Sequence, residues 1–188
     1  MRTSSLLALI CAAFAAAGCA DAGKARGDAT TKPTYDTTTG KLTQLTYDAN
    51  RNGKIDTWTD MDGARPLQSR IDTDEDGTID RWEYYDEKGS LTKVGFSRQK
   101  NGNVDAWAYS GPDGQVVRVE TEDDTNADGR PDKWETYVDG VVRTSAMDEN
   151  GDGRPDRRLT YDQGTLVLIE SEPDASGAFR KRVEVKER

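Results

Sequence analysis

The residues of this chain that could do chemistry recur in one pattern. Asp72, Asp74 and Asp76 alternate along a short stretch, Gly77 follows where the chain must turn, and Asp80 closes it. The same spacing sets Asp48, Asn50, Asn52 and Asp56 around Gly53, and Asp124, Asn126, Asp128 and Asp132 around Gly129. A further copy sets Asp148, Asn150, Asp152 and Asp156 around Gly153, and a worn one runs Ser97, Gln99, Asn101, Gly102, Asp105. Short oxygen-bearing side chains at alternate positions converge when the backbone curls. A hard cation such as calcium takes about six to eight such oxygens at about 2.3–2.6 Å. Position seven of such a loop offers its carbonyl. Position eight is apolar or proline here (Ile55, Ile79, Val104, Pro131, Pro155), which pins the loop to the sheet. Position nine is aspartate in all five copies, the best candidate for the closing ligand.

The copies differ in charge. The Asp72 loop has four carboxylates at ligand positions, the Asp124 and Asp148 loops three each, and the Asp48 loop two beside Asn50 and Asn52. At matched geometry, charge ranks the expected affinities in that order. The Ser97 loop keeps only Asp105 and is expected to be empty or water-filled. The rival reading is that Asp and Asn simply form Asx-turns joining strands, which they do without metal. Alternating triads in four copies favour the ion.

Between the loops lie the elements that must position them. The loop glycines at 53, 77, 102, 129 and 153 are 24, 25, 27 and 24 residues apart. Each interval holds a run of β-forming residues, a turn of the Asp-Gly kind and a second run. One example is Ile79 to Tyr85, then Asp86 to Gly89, then Leu91 to Phe96. These are hairpin signals, and no segment carries the long 3.6-residue apolar period of a helix. A lone hairpin is marginal, so the units must stack or share a sheet. The expected fold class is all-β, an elongated array of repeated β-hairpins with intervening calcium-type loops. Trp58, Trp82, Trp107 and Trp134 each follow a loop glycine by five residues. They read as a core ladder, or as an aromatic platform for sugar or peptidoglycan. Arg158 takes that place in the last unit, as a cation–π cap or a solvated edge residue. Pro173 to Gly177 reads as a degenerate sixth loop before a closing strand through Phe179 and Val183.

Composition narrows the function. Histidine is absent, which removes the commonest general base and zinc ligand. Paired carboxylates abound but sit in the ligand pattern, and no phosphate-gripping glycine motif is present, so no enzyme is expected. The formal net charge is −9, with no concentrated basic face, which disfavours nucleic acid as a partner. Bound calcium would offset acidic repulsion within the loops.

The first 18 residues have the layout of an export signal: Arg2, an apolar run from Leu6 to Ala17, and small residues before Cys19. Ala16-Ala17-Gly18-Cys19 resembles the lipobox of bacterial lipoproteins, though leucine is commoner where Ala16 stands. The resemblance implies lipidation at Cys19. Ala20 rather than aspartate after the cysteine implies sorting to the bacterial outer membrane. Residues 19–34, rich in Ala, Gly, Asp, Thr and Lys, read as a flexible tether. Residues 35–188 read as a hairpin repeat domain of about five units, opening with a half-unit. Without the leader no disulfide can form, so metal and stacking must stabilise the array.

The first half of each loop resembles an EF-hand loop, and the whole pattern is similar to the calcium loops of thrombospondin type 3 repeats and integrin-type propellers. An EF-hand closes with glutamate at position twelve. Glu83 and Glu135 stand there, but Thr59, Ala108 and Leu159 do not, and flanking helices are not expected. The resemblance covers Asp48 to Asp156 in spaced islands and implies calcium bound in a strand-rich repeat. The leading expectation is therefore a lipid-anchored, calcium-binding envelope protein with a structural role. The alternative is a calcium-stabilised adhesion, glycan, peptidoglycan or protein-binding module. Its candidate exposed aromatics are Tyr109, Tyr161 and one of the adjacent Tyr84 and Tyr85.

Overall fold

The computed structural model describes residues 30–122 and 129–186. The leader, Cys19, Asp124, Asn126 and Asp128 lie outside them. All regular structure in the described residues is strand: β1 (Thr31–Tyr35), β2 (Leu42–Tyr47), β3 (Thr57–Asp62), β4 (Arg65–Ile71), β5 (Arg81–Tyr85), β6 (Leu91–Phe96), β7 (Ala106–Ser110), β8 (Val116–Thr121), β9 (Lys133–Val138), β10 (Val141–Met147), β11 (Arg157–Asp162), β12 (Thr165–Pro173) and β13 (Phe179–Glu184). The thirteen strands form one antiparallel sheet in chain order. Each pairs only with its sheet neighbours, so the array is an open, elongated meander with β1 and β13 at its edges. At about 4.8 Å per strand it spans roughly 60 Å.

Local chemistry explains the alternation. Asp139 and Gly140, and likewise Gln163 and Gly164, both have positive φ, the backbone of a two-residue type I′ turn. Val138 therefore pairs directly with Val141, and Asp162 with Thr165. Six hairpins on this turn side each carry a register shift near the turn. Such bulges add right-handed twist to the sheet. The opposite side carries the long loops. Strand β1 begins at Thr31, so residues 31–34, read from composition as tether, pair with β2. Every side chain of that strand is exposed. Main-chain bonds hold it, together with the Thr43 and Thr46 hydroxyls, which donate to the Thr34 and Lys32 carbonyls, and composition does not register those.

Pairing sorts the side chains onto two faces, because directly opposed residues share a face and neighbours along a strand alternate. One row reads Trp58, Arg70, Trp82, Gly95, Trp107, Glu120, Trp134, Ala146, Arg158. The adjacent row, on the other face, includes Ser69, Glu83, Val94, Ala108, Val119 and Glu135. The small core lies on that second face, where Ala108, Val119 and Tyr137 pack with Phe96, Val116 and Val142. The tryptophans form a ladder in register but are only partly buried, which corrects the core-ladder reading. A single-layer sheet has no second layer to cover them. Arg158 lies over Phe179 at 5.1 Å and bonds Glu170, so it serves the sheet's end rather than the ladder.

The best-packed part of the tryptophan face surrounds Gly95. Trp107 lies across this glycine toward Tyr84, with ring centroids 5.9 Å apart, and Lys93 Nζ sits 4.5 Å from each ring. A Cβ on residue 95 would stand 2.9 Å from the Trp107 ring and 3.1 Å from Val104. Gly95→Val should therefore expel Trp107 and cost about 1–3 kcal/mol by overpacking. Urea unfolding followed by tryptophan emission will show it, with a red-shifted native spectrum. Tyr85, past the bulge, turns to the other face and donates to Glu83 at 2.6 Å. Burial, then that carboxylate, pushes its hydroxyl up to about 12.

Candidate metal centre

The loops stand on one more rung of the sheet. Beyond the strand ends, main-chain N–H groups of Asp56, Asp80, Asp105, Asp132 and Asp156 donate to Tyr47, Ile71, Phe96, Thr121 and Met147. Those of Asp72, Ser97, Glu122 and Asp148 donate to Asp56, Asp80, Asp105 and Asp132. The first and ninth loop positions thus line up along one long side of the sheet. Asp48, Asp56, Asp72, Asp80, Asp105, Asp132 and Asp148 are all buried there.

Two contacts recur within the loops. The position-one carboxylate accepts from the position-six glycine: Asp48 from Gly53 at 2.8 Å, Asp72 from Gly77 at 2.9 Å, Asp148 from Gly153 at 2.6 Å. The position-nine carboxylate accepts from the N–H of position two: Asp56 from Ala49, Asp80 from Thr73, Asp105 from Arg98, Asp156 from Glu149. Positions three and five also make Asx-type bonds, as Asn50 accepts from Asn52 N–H, Asn52 from Lys54 and Asp152 from Arg154. The loops whose residues are described are therefore folded turns in their own right.

The loops part company in what remains. In the second, Asp72, Asp74 and Asp80 bring carboxylate oxygens within 4.8 Å of one another. Oδ1 of Asp72 and Oδ1 of Asp80 are buried without a hydrogen-bond partner. Among the described residues these are the only loop carboxylates left so. A buried carboxylate oxygen without a partner is costly, and a shared cation removes the cost for both. Asp76 Oδ1 accepts from Thr78 N–H at 2.7 Å, and Asp76 is not one of the three clustered carboxylates.

The first loop is served by a residue that sequence reasoning passed over. Glu75, at position four of the second loop, reaches back and accepts from the amides of Asn50 and Asn52. Those bonds hold its carboxyl below the usual range. In the last loop, Asp148 collects N–H groups from Asn150, Gly151, Asp152 and Gly153, and Asn150 also donates to Asp156 at 3.0 Å. Burial opposes the charge on Asp148, but the backbone donors outweigh it and leave the carboxyl below its ordinary value. In the worn third loop the closing aspartate has a protein partner. Arg98 packs its guanidinium on Asp105, Nε to Oδ1 at 2.9 Å, and donates to the Glu122 carbonyl at 2.6 Å. A protein cation fills the place of an ion.

Glu122 was missed as well. It holds the register place of Asp72 and Asp148, and Oε1 accepts from Gly129 N–H at 3.1 Å as those aspartates do from their glycines. The 27-residue step was the available signal: the fourth loop is longer, and a longer acid spans it. Pro173 to Gly177 forms a tight turn, in which Asp174 accepts from Ser176 and Ala178.

Acid should destabilise the fold through groups on both long sides of the sheet, Asp148 on the loop side and Asp62 on the turn side. Asp148 titrates below the ordinary 3.8 in the folded chain, as does Asp62, held at about 2 by Lys41 and then Arg65. Below pH 3.8 the unfolded chain takes up protons that the folded chain refuses. Their stabilisation is thus complete above about pH 4 and drains as pH falls through the lower folded values. Melting temperature should be flat from about pH 8 to 5 and drop steeply between about pH 4 and 2. A decline already under way between about pH 7 and 5 would contradict this.

No family model matches the chain, and no curated protein does. Among solved structures, it is similar to a mutant of S. aureus TarM in complex with fondaparinux, alpha-GlcNAc-glycerol and UDP. That match has 10% identity and a TM-score of 0.42, over 64% of this chain and 23% of that one. TarM in a second structure gives 11%, 0.40, 64% and 22%. Accessory secretory protein 1, 2 and 3 of Streptococcus pneumoniae gives 14%, 0.32, 65% and 20%. The chain spans less than a quarter of the length of each. At these scores none of the three bears on fold or function.

Proposed function

We propose that this chain is a calcium-stabilised, non-catalytic binding module of the bacterial envelope, carried on the outer membrane by a lipid at Cys19. The observation that carries the cation is the pair of partnerless buried oxygens on Asp72 and Asp80 beside Asp74. An all-oxygen donor set without histidine or thiolate suits calcium or magnesium and disfavours zinc or copper. Calcium fits better, because three carboxylates gather at one point on the protein, whereas magnesium keeps several of its waters and takes only one or two carboxylates. Affinity on the order of 10⁻⁴–10⁻³ M, usual for extracellular modules, would keep such a site filled outside the cell.

The tryptophan face favours a binding role over a purely structural one. Trp58, Trp82, Trp107 and Trp134 recur on every second strand, at steps of about 10 Å, on a partly exposed face. Tyr84 and Tyr109 share that face, among charged and amide side chains that can hydrogen-bond. Rings in such a row can stack on the flat faces of a glycan. Co-sedimentation with purified peptidoglycan, in calcium and in chelator, tests this. Retention in calcium that falls in chelator and in Trp82→Ala supports the module. Calcium-dependent melting with no retention would leave the structural role alone.

A further inference from the structure

We infer that Lys100 is a tethered counter-ion of the second loop, an ammonium supplied by the neighbouring loop that a divalent ion must displace from Asp74. The inference rests on the cation reading of the Asp72, Asp74 and Asp80 triad and adds the residue that sets its affinity. Lys100 belongs to the third loop, where it occupies position four. Its backbone is left-handed at φ 54°, as are the matching Arg51 at 63° and Glu75 at 59°. Few side chains other than glycine hold that conformation cheaply. Here the position-four side chains of two successive loops reach back to the loop before. Glu75 takes the amides of Asn50 and Asn52, and Lys100 Nζ donates to Asp74 Oδ2.

The ammonium does not complete the site. It reaches the half-exposed Asp74, while Asp72 and Asp80, 5% and 6% exposed, each keep a buried oxygen without a partner. A lysine brings one charge and directional donors on a flexible stem. A divalent ion brings twice the charge and accepts oxygens from several sides, so it can serve all three carboxylates together. Lys100 then swings to solvent, where its half-exposed side chain already leads. The same loop keeps Arg98 on Asp105, so it supplies two protein cations to this edge, one fixed in its own turn and one displaceable. The second loop would thus be stable at low calcium, and its affinity would be reduced by the strength of the lysine contact.

Calcium titrations by calorimetry on the wild-type chain, Lys100→Gln and Asp80→Asn, with melting curves in chelator and in calcium, test the inference. Lys100→Gln should bind calcium about three- to fivefold more tightly, the scale of an exposed ion pair. It should also melt lower than wild type in chelator yet gain more on adding calcium. A merely structural lysine would lower both melting temperatures and leave affinity unchanged or weaker. That result, with binding still abolished by Asp80→Asn, overturns the counter-ion role and spares the site. Absence of calcium binding by the wild-type chain, or binding untouched by Asp80→Asn, overturns the cation reading and the inference with it.

Discussion

The Asp80→Asn chain should melt at the same temperature with and without calcium, while the wild-type chain gains about 5–10 °C. Asp80 is the closing residue of the one described loop with partnerless carboxylate oxygens. An ion at about a hundred times its dissociation constant stabilises the folded state by about 2.7 kcal/mol, and a chain of this size shifts about 2–4 °C per kcal/mol. Asparagine keeps the shape and one acceptor, so Thr73 N–H retains its partner at 2.9 Å. What is lost is the charge and an anionic ligand. Differential scanning calorimetry in chelator and at millimolar calcium separates the two. Asp105→Asn, in the loop closed by Arg98, should leave the calcium shift intact.

The second large effect should come from Arg98→Met. The guanidinium is largely covered and Asp105 is 7% exposed, so removing the arginine strands a buried carboxylate and frees the Glu122 carbonyl. Breaking a fully buried pair costs about 3–5 kcal/mol. Asp105 keeps N–H donors from Arg98 and Gln99, which the substitution does not touch, so about 2 kcal/mol is expected. Adding Asp105→Asn to Arg98→Met should recover at least about 1 kcal/mol, since the stranded charge is then gone. Additive losses in urea unfolding would mean the two residues do not form a unit. Calcium should not rescue Arg98→Met, because Ser97 and Asn101 bond each other and add no charge.

Much of this molecule is written locally. Asp-Gly turns, alternating runs and loops at steps of 24 to 27 residues state a hairpin array, because each unit is finished within its own segment. The open, elongated meander follows from the same locality, since every strand pairs only with its neighbours. What escaped lies between units. Whether Trp82 faces the core depends on its register with Arg70 and Gly95, which no single unit encodes. Glu75 and Lys100 act on the loop before their own, through a left-handed backbone that favours glycine and asparagine. Glu122 stands two residues ahead of the motif, where only the sheet shows it to be equivalent to Asp72. Carboxylate count ranked the second loop first, and the clustered triad lies there; that Asp76 makes an Asx bond to Thr78 is a turn detail that the count does not encode. Strand β1 carries no alternating apolar pattern, with Tyr35 its one large hydrophobic residue, and it is an exposed edge.

The place of the ion decides between these readings. Crystals of residues 20–188 grown in calcium, then exchanged with manganese, give an anomalous map that locates divalent cations directly. The strongest peak should lie within about 2.0–2.6 Å of Asp72, Asp74 and Asp80 carboxylate oxygens, with Lys100 turned away and no peak beside Arg98. A map without density at that triad, or with its only peaks at the Asp48 or Asp148 turns, would contradict it.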